Sequence, residues 1–224
     1  IGTALLHSLV IVEKRKSLQA WVLLLSILAF ILSVIGTFLV RSGILTSVHT
    51  FALDPSRGIY ILAFTALLGG YSLILFGINS KKFFNNNYFN SFSREGSILI
   101  NNIFMVVVCA TVFLGTVYPL FIEALTSNKI SVGEPYYNST VIPIMIPAIL
   151  IMGIAPLLNW GKEKKLKILK KMAPTFFSTI AITIFIFIAY KPNSVLGVVG
   201  VILAFWIISN NLLILIKKNK KYSK

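Results

Sequence analysis

The two histidines of this 224-residue chain, His7 and His49, are its best candidates for chemistry. His7 lies inside an apolar run, where an ionisable side chain usually faces the interior of a helix bundle and serves a function. His49 lies in a polar stretch between two long apolar runs. An imidazole is a natural axial ligand for haem iron. From residue type alone two alternatives stay open: His7 hydrogen-bonded to a neighbouring helix, and His49 solvated at the surface.

Two arginines flank the polar stretch that contains His49. Arg41 lies where one apolar run ends, and Arg57 lies just before the next begins. Each could be an interfacial anchor, or could pair with ligand carboxylates such as haem propionates, because a guanidinium is permanently charged and binds in a bidentate manner. Residues 42–51 have apolar positions close to helical spacing. A short interfacial helix that presents His49 is therefore predicted within the 41–57 loop.

The elements that position these residues must be membrane helices. The chain is 57% hydrophobic and 12% charged, whereas roughly a quarter of the residues of a soluble domain are charged. Repeated apolar runs of about 20 residues indicate membrane spans, and a span in lipid must satisfy its own backbone hydrogen bonds. Cys109 is the only cysteine, which excludes a disulfide framework and a CxxC redox pair. The sequence also lacks a glycine-rich phosphate loop, a Ser-His-Asp set and a cluster of three or four metal ligands.

These patterns predict an all-α polytopic membrane helix bundle of about seven spans, the first of them truncated. We expect one transmembrane helical domain over residues 1–217, followed by a basic cytoplasmic tail over residues 218–224. The predicted spans end at residue 12 or cover residues 18–40, 59–78, 98–120, 141–158, 174–190 and 195–216. Polar loops are predicted at 80–96 and 123–140, and the tyrosines of the second are expected to anchor it at the interface.

The positive charges predict the topology. Arg41, Arg57, Lys129 and Lys191 fall in one set of alternate loops, and the other 17 of the 21 lysines and arginines fall in the opposite set. The positive-inside rule places the richer set on the cytoplasmic side or its organellar equivalent, so the 41–57 loop faces outward. Because the lysines cluster at span ends, the net charge of +15 indicates a membrane-lipid environment and no nucleic-acid partner.

Four segments resemble the CcmF family, the haem lyase subunits of the cytochrome c maturation system. In chain order they are Thr3–Leu9 followed by Glu13-Lys14-Arg15, Gly36–Ala52 followed by Asp54–Gly58, Leu114–Pro119 and Ile130–Asn138. The resemblance covers roughly residues 1–160. It implies a protein that receives haem from a haem chaperone and, with other cytochrome c maturation subunits, joins the haem to apocytochrome c at the outer face of a bacterial or mitochondrial inner membrane.

The resemblance also implies roles for the candidate residues. Members of the family bind haem through one pair of histidines within the membrane and one pair in outward loops that flank a tryptophan-rich segment. By this likeness His7 is an axial ligand of a membrane haem b, and His49 is an axial ligand of the outward haem. Arg41 and Arg57 are candidate contacts for the haem propionates. The chain is not expected to be catalytic alone.

The sequence departs from the family pattern in three respects. It has no tryptophan-rich segment, no first outward histidine and no second membrane histidine. We therefore expect a central fragment, or one half of a split haem lyase whose remaining pieces supply those parts. The alternative function is a multi-span transporter, or a haem-transport or structural membrane scaffold without a ligase role. The prolines Pro143, Pro147 and Pro156, which predict a kinked fifth span, favour that alternative.

Overall fold

The computed structural model describes residues 1–42, 55–83, 92–128, 130–161, 165–190 and 194–222, and these ranges are helical almost throughout. The α-helices are α1 (Gly2–Arg15), α2 (Gln19–Arg41), α3 (Pro55–Asn79), α4 (Arg94–Thr126), α5 (Glu134–Ile154), α6 (Lys165–Tyr190) and α7 (Val195–Tyr222). Short 3-10 helices cover Ser80–Phe83 and Ala155–Leu157. Within the described ranges, six helices are long and apolar enough to cross a membrane. The predicted all-α polytopic membrane fold is confirmed.

Hydroxyl side chains within the spans bond to their own helices. Ser26 donates to the carbonyl of Val22 at 2.8 Å, and Ser72 donates to that of Leu68 at 2.7 Å. Each of these bonds reaches back one helical turn, which satisfies a hydroxyl group without water. The spans therefore tolerate serine and threonine in an apolar environment.

The chain forms two compact units. The first comprises Ile1–Asn87 and Met105–Thr140, and the second comprises Tyr88–Phe104 and Val141–Lys224. In the first unit α1 packs on α2, and α2 packs on α3. In the second unit α6 packs on α7, and the Trp206 indole N–H donates to the Leu150 carbonyl of α5 at 3.1 Å. The sequence expectation of one domain over residues 1–217 stays a prediction.

Three helices begin earlier than the hydropathy predicts. α4 begins at Arg94 rather than near residue 98, because the Ser93 hydroxyl caps it by accepting the N–H of Gly96 at 3.0 Å. α5 begins at Glu134, so the prediction that Tyr136 and Tyr137 lie in a loop is wrong. α6 begins at Lys165, which places Pro174 inside the helix rather than at its start.

The predicted interfacial helix of the 41–57 loop lies largely outside the described residues. The structure describes the chain up to Ser42 and again from Pro55. α2 runs to Arg41, so this arginine ends a membrane helix, as the hydropathy predicts. The interfacial helix itself stays a prediction.

Candidate functional site

His7 lies on α1, beside the stripe that packs most tightly in the first unit. Ala4, Ser8 and Ile11 are fully buried at 0% exposure, and His7 is half-buried between them. It is eight residues before Arg15, the last residue of α1, which corresponds to about 12 Å of helical rise. His7 therefore lies at membrane depth, nearer to the inner end of the helix.

The His7 Nδ1 atom is buried and has no hydrogen-bond partner among the described residues. A buried polar atom without a partner costs about 1–3 kcal/mol, so such an atom calls for a partner from a ligand or from another part of the assembly. The neighbouring side chains Leu6 and Val10 are apolar and exposed, at 64% and 41%. An incomplete imidazole beside an open apolar surface fits an axial ligand of haem, whose faces are apolar.

Arg41 and Arg57 lie at the outer end of the first unit. Arg41 is in the last turn of α2 and is half-buried, and Arg57 is in the first turn of α3 and is exposed. The two helix ends approach closely, since a Cβ atom on Gly58 would lie 3.2 Å from the Cα of Ser42. Two guanidinium groups beside the positive N-terminus of α3 make this end of the unit attractive to carboxylates.

The structure does not bring His7 to the level of the arginines. α1 and α2 are joined by the short turn at residues 16–18, and α2 spans about 33 Å from Gln19 to Arg41 at helical rise. His7 is therefore separated from the Arg41 level by about 20 Å along the helix axes. This separation is compatible with one haem within the membrane and another at its outer face. His49 lies outside the described residues.

Other metal chemistry has less support in the described part of the chain. No group of three or more His, Cys, Asp or Glu side chains is close enough there to hold a metal ion. Cys109 is a free cysteine within α4. A haem needs only axial ligands and an apolar surface, so His7 can serve it without such a group.

Sequence reasoning missed two close contacts that shape the first unit. The Tyr136 hydroxyl donates to the Thr111 carbonyl of α4 at 3.1 Å, and the same ring lies against Gly115. The tyrosine predicted to anchor a loop instead packs α5 on α4. The approach of Gly58 to Ser42 was also missed, although the pair Arg57-Gly58 at the start of a span was a signal for it.

We expect the substitution Gly58→Val to push the start of α3 away from the end of α2. The new Cβ would lie 3.2 Å from both the Cα and the Cβ of Ser42, and backbone there has little room to move. Overpacking of this kind costs about 1–3 kcal/mol, which thermal unfolding in detergent measures as a lower Tm. The matched control is Gly70→Val on the same helix, where an added Cβ meets nothing within 4 Å. Equal Tm values for the two variants would contradict the close approach.

The fold, the charge pattern and the membrane histidine define a multi-pass helical membrane protein with a candidate haem ligand. The chain is 42% identical over 208 residues to the cytochrome c-type biogenesis protein CcmF of Escherichia coli (strain K12), which covers 92% of this chain and 32% of that protein. It is 48% identical over 161 residues to the cytochrome c-type biogenesis protein CycK of Rhizobium meliloti (strain 1021), which covers 72% and 24%. It is 42% identical over 166 residues to the cytochrome c-type biogenesis protein NrfE of Haemophilus influenzae, which covers 72% and 26%.

The chain belongs to the CcmF and CycK family of cytochrome c-type biogenesis proteins. The likeness over 208 residues extends beyond the region 1–160 that the sequence motifs predicted. The chain spans about a third of the length of the CcmF relative, and less of the other two. Its six apolar spans and its bacterial relatives identify it as a multi-pass inner membrane protein. No family model and no solved structure matches the chain.

Proposed function

We propose that this chain is the part of a cytochrome c haem lyase that holds haem for attachment to apocytochrome c. The observation that carries this role is the 42% identity over 208 residues to a cytochrome c-type biogenesis protein. The orphaned Nδ1 atom of His7, buried in an apolar helix, gives the role a chemical basis. The partners are then a haem chaperone, apocytochrome c, other maturation subunits and the remaining pieces of the lyase.

His7 is the residue that would hold the membrane haem b. Haem bound there supplies one-electron redox chemistry. The apolar residues around His7 exclude water, which limits exchange of the axial ligand and controls the local polarity. By the family resemblance a second histidine completes the site, and since this chain contains only His7 and His49, that second ligand comes from outside it.

His49 is the residue that would present the substrate haem at the outer face. Arg41 and Arg57 lie together at the outer helix ends, where their guanidinium groups can pair with two propionates. Such pairing fixes the orientation of the haem relative to the thiols of apocytochrome c. The chain therefore contributes positioning, because the thioether chemistry belongs largely to the haem and the cysteine thiols.

The substitutions Arg41→Gln and Arg57→Gln test the binding of haem propionates. We expect each to weaken the binding of added haem at the outer site by about tenfold, because each removes a charge-assisted hydrogen bond. Absorbance titration of the purified complete protein in nanodiscs measures the Kd. Haem dimethyl ester, which lacks the propionate charges, should bind wild type and both variants equally.

The matched control is Arg15→Gln, which removes one positive charge at the inner end of α1. This variant should bind haem as wild type does. If Arg15→Gln weakens binding as much as Arg41→Gln, or if haem dimethyl ester discriminates between the variants, then the arginines do not contact the propionates.

A further inference from the structure

The second unit contains an apolar groove near its inner end, here named the inner-leaflet groove. It is formed by the start of α4, the end of α5 and the first turns of α6, and its volume is about 440 Å³. This lies within the range of about 300–1,000 Å³ typical of ligand sites. Its lining includes Ser97, Ile100, Ile154, Leu158, Ile168 and Met172.

Two cations are held at the surface end of the inner-leaflet groove. The Arg94 guanidinium lies over the Trp160 ring, with its carbon 5.0 Å from the ring centroid. The Lys171 ammonium donates to the Leu157 carbonyl at 3.0 Å. An ammonium group has three donors, so Lys171 can keep this bond and also donate to a ligand oxygen. Both cations therefore lie beside the groove in positions that the fold determines.

The surroundings of these cations strengthen the positive field. Lys167 and Lys170 are exposed on the same first turns of α6. The Glu95 carboxylate is buried, at 2% exposure, and accepts the backbone N–H of Gly161, which lies 3.0 Å from each of its oxygens. The groove thus combines an apolar interior with a cationic rim, which is complementary to a lipid with an anionic headgroup.

We propose that the inner-leaflet groove binds an acyl chain of an anionic phospholipid, with the phosphate at Arg94 and Lys171. The charge count places this end of the second unit on the inner side of the membrane, where anionic lipids attract basic groups and basic pockets between helices bind their headgroups. An apolar protein helix in the groove would leave both cations without a counter-charge. The site is independent of the proposed haem function, because both histidines lie in the first unit.

Tryptophan quenching by lipids with brominated acyl chains tests this site, since Trp160 lies at its rim. The complete protein is reconstituted in phosphatidylcholine nanodiscs that contain either brominated phosphatidylglycerol or brominated phosphatidylcholine. We expect phosphatidylglycerol to quench more strongly at equal mole fraction. The substitutions Arg94→Gln and Lys171→Gln should each lower the apparent affinity for phosphatidylglycerol about fivefold.

Two further variants separate the site from a general charge effect. Ser97→Leu keeps both cations but fills the groove, and it should also abolish the preference for phosphatidylglycerol. Lys14→Gln combined with Arg15→Gln removes two inner charges from the first unit and should leave the preference unchanged. Equal quenching by the two lipids, or a preference that survives in Ser97→Leu, would overturn the proposal. Loss of the preference in the control pair would assign it to general surface charge and would also overturn it.

Discussion

Replacing His49 with alanine is expected to abolish the attachment of haem to apocytochrome c. By the family resemblance His49 is an axial ligand of the outward haem, and loss of that ligand leaves the substrate haem without a fixed position. Changes to residues that only support a metal ligand already lower metal affinity about 10- to 100-fold, so loss of the ligand itself should leave less than about a tenth of the holocytochrome c. In-gel haem staining of membranes from cells that carry the complete variant protein measures the yield.

Thr50→Ala is the matched control for His49→Ala, because it truncates the adjacent side chain of the same loop. We expect this control to give the wild-type yield. Immunoblotting must show equal amounts of both variants in the membrane. A wild-type yield of holocytochrome c from His49→Ala would show that this histidine is not a haem ligand required for attachment.

Replacing His7 with alanine is expected to remove the membrane haem without unfolding the helix pair that carries it. The Nδ1 atom of His7 makes no hydrogen bond with the described residues, so the substitution leaves no partner unsatisfied there. The thermal stability of the haem-free protein should therefore change little, while the reduced-minus-oxidised difference spectrum of haem b should disappear. Added imidazole should restore that spectrum, because it can occupy the vacated ligand position.

A purely structural histidine would behave in the opposite way. His7→Ala would then lower the Tm, would leave the haem spectrum in place and would not respond to imidazole. Leu6→Ala, which truncates a 64% exposed neighbour on the same helix, is the control for a loss of apolar surface. If Leu6→Ala removes the haem as completely as His7→Ala does, then the ligand role of His7 loses its support.

The sequence predicted most of the architecture because hydrophobicity in a membrane is a property of each segment by itself. Runs of about 20 apolar residues must be helices, and the placement of lysine and arginine gives their direction. The starts of α4, α5 and α6 were missed because they depend on local capping and on charged residues that continue a helix beyond the lipid. At α4, for example, one bond from the Gly96 N–H to the Ser93 hydroxyl begins the helix before its apolar run.

The candidate site was predictable only in part, for a different physical reason. That His7 lies at membrane depth follows from its place in an apolar run, and the structure agrees on this position. The orphaned Nδ1 atom, and the approach of Gly58 to Ser42, depend on how helices pack against each other. The inner-leaflet groove likewise joins Ser97 with Met172 across a long stretch of sequence, and no local pattern reports such a meeting.

The absorption spectrum of the purified complete protein is the most direct test of haem binding by this chain. We expect a Soret band at a stoichiometric level, with a pyridine haemochrome spectrum that identifies haem b. We expect the intensity assigned to the membrane haem to be lost in His7→Ala and retained in Leu6→Ala. A wild-type protein without Soret absorbance would contradict the haem-binding role and would favour a transporter or structural scaffold.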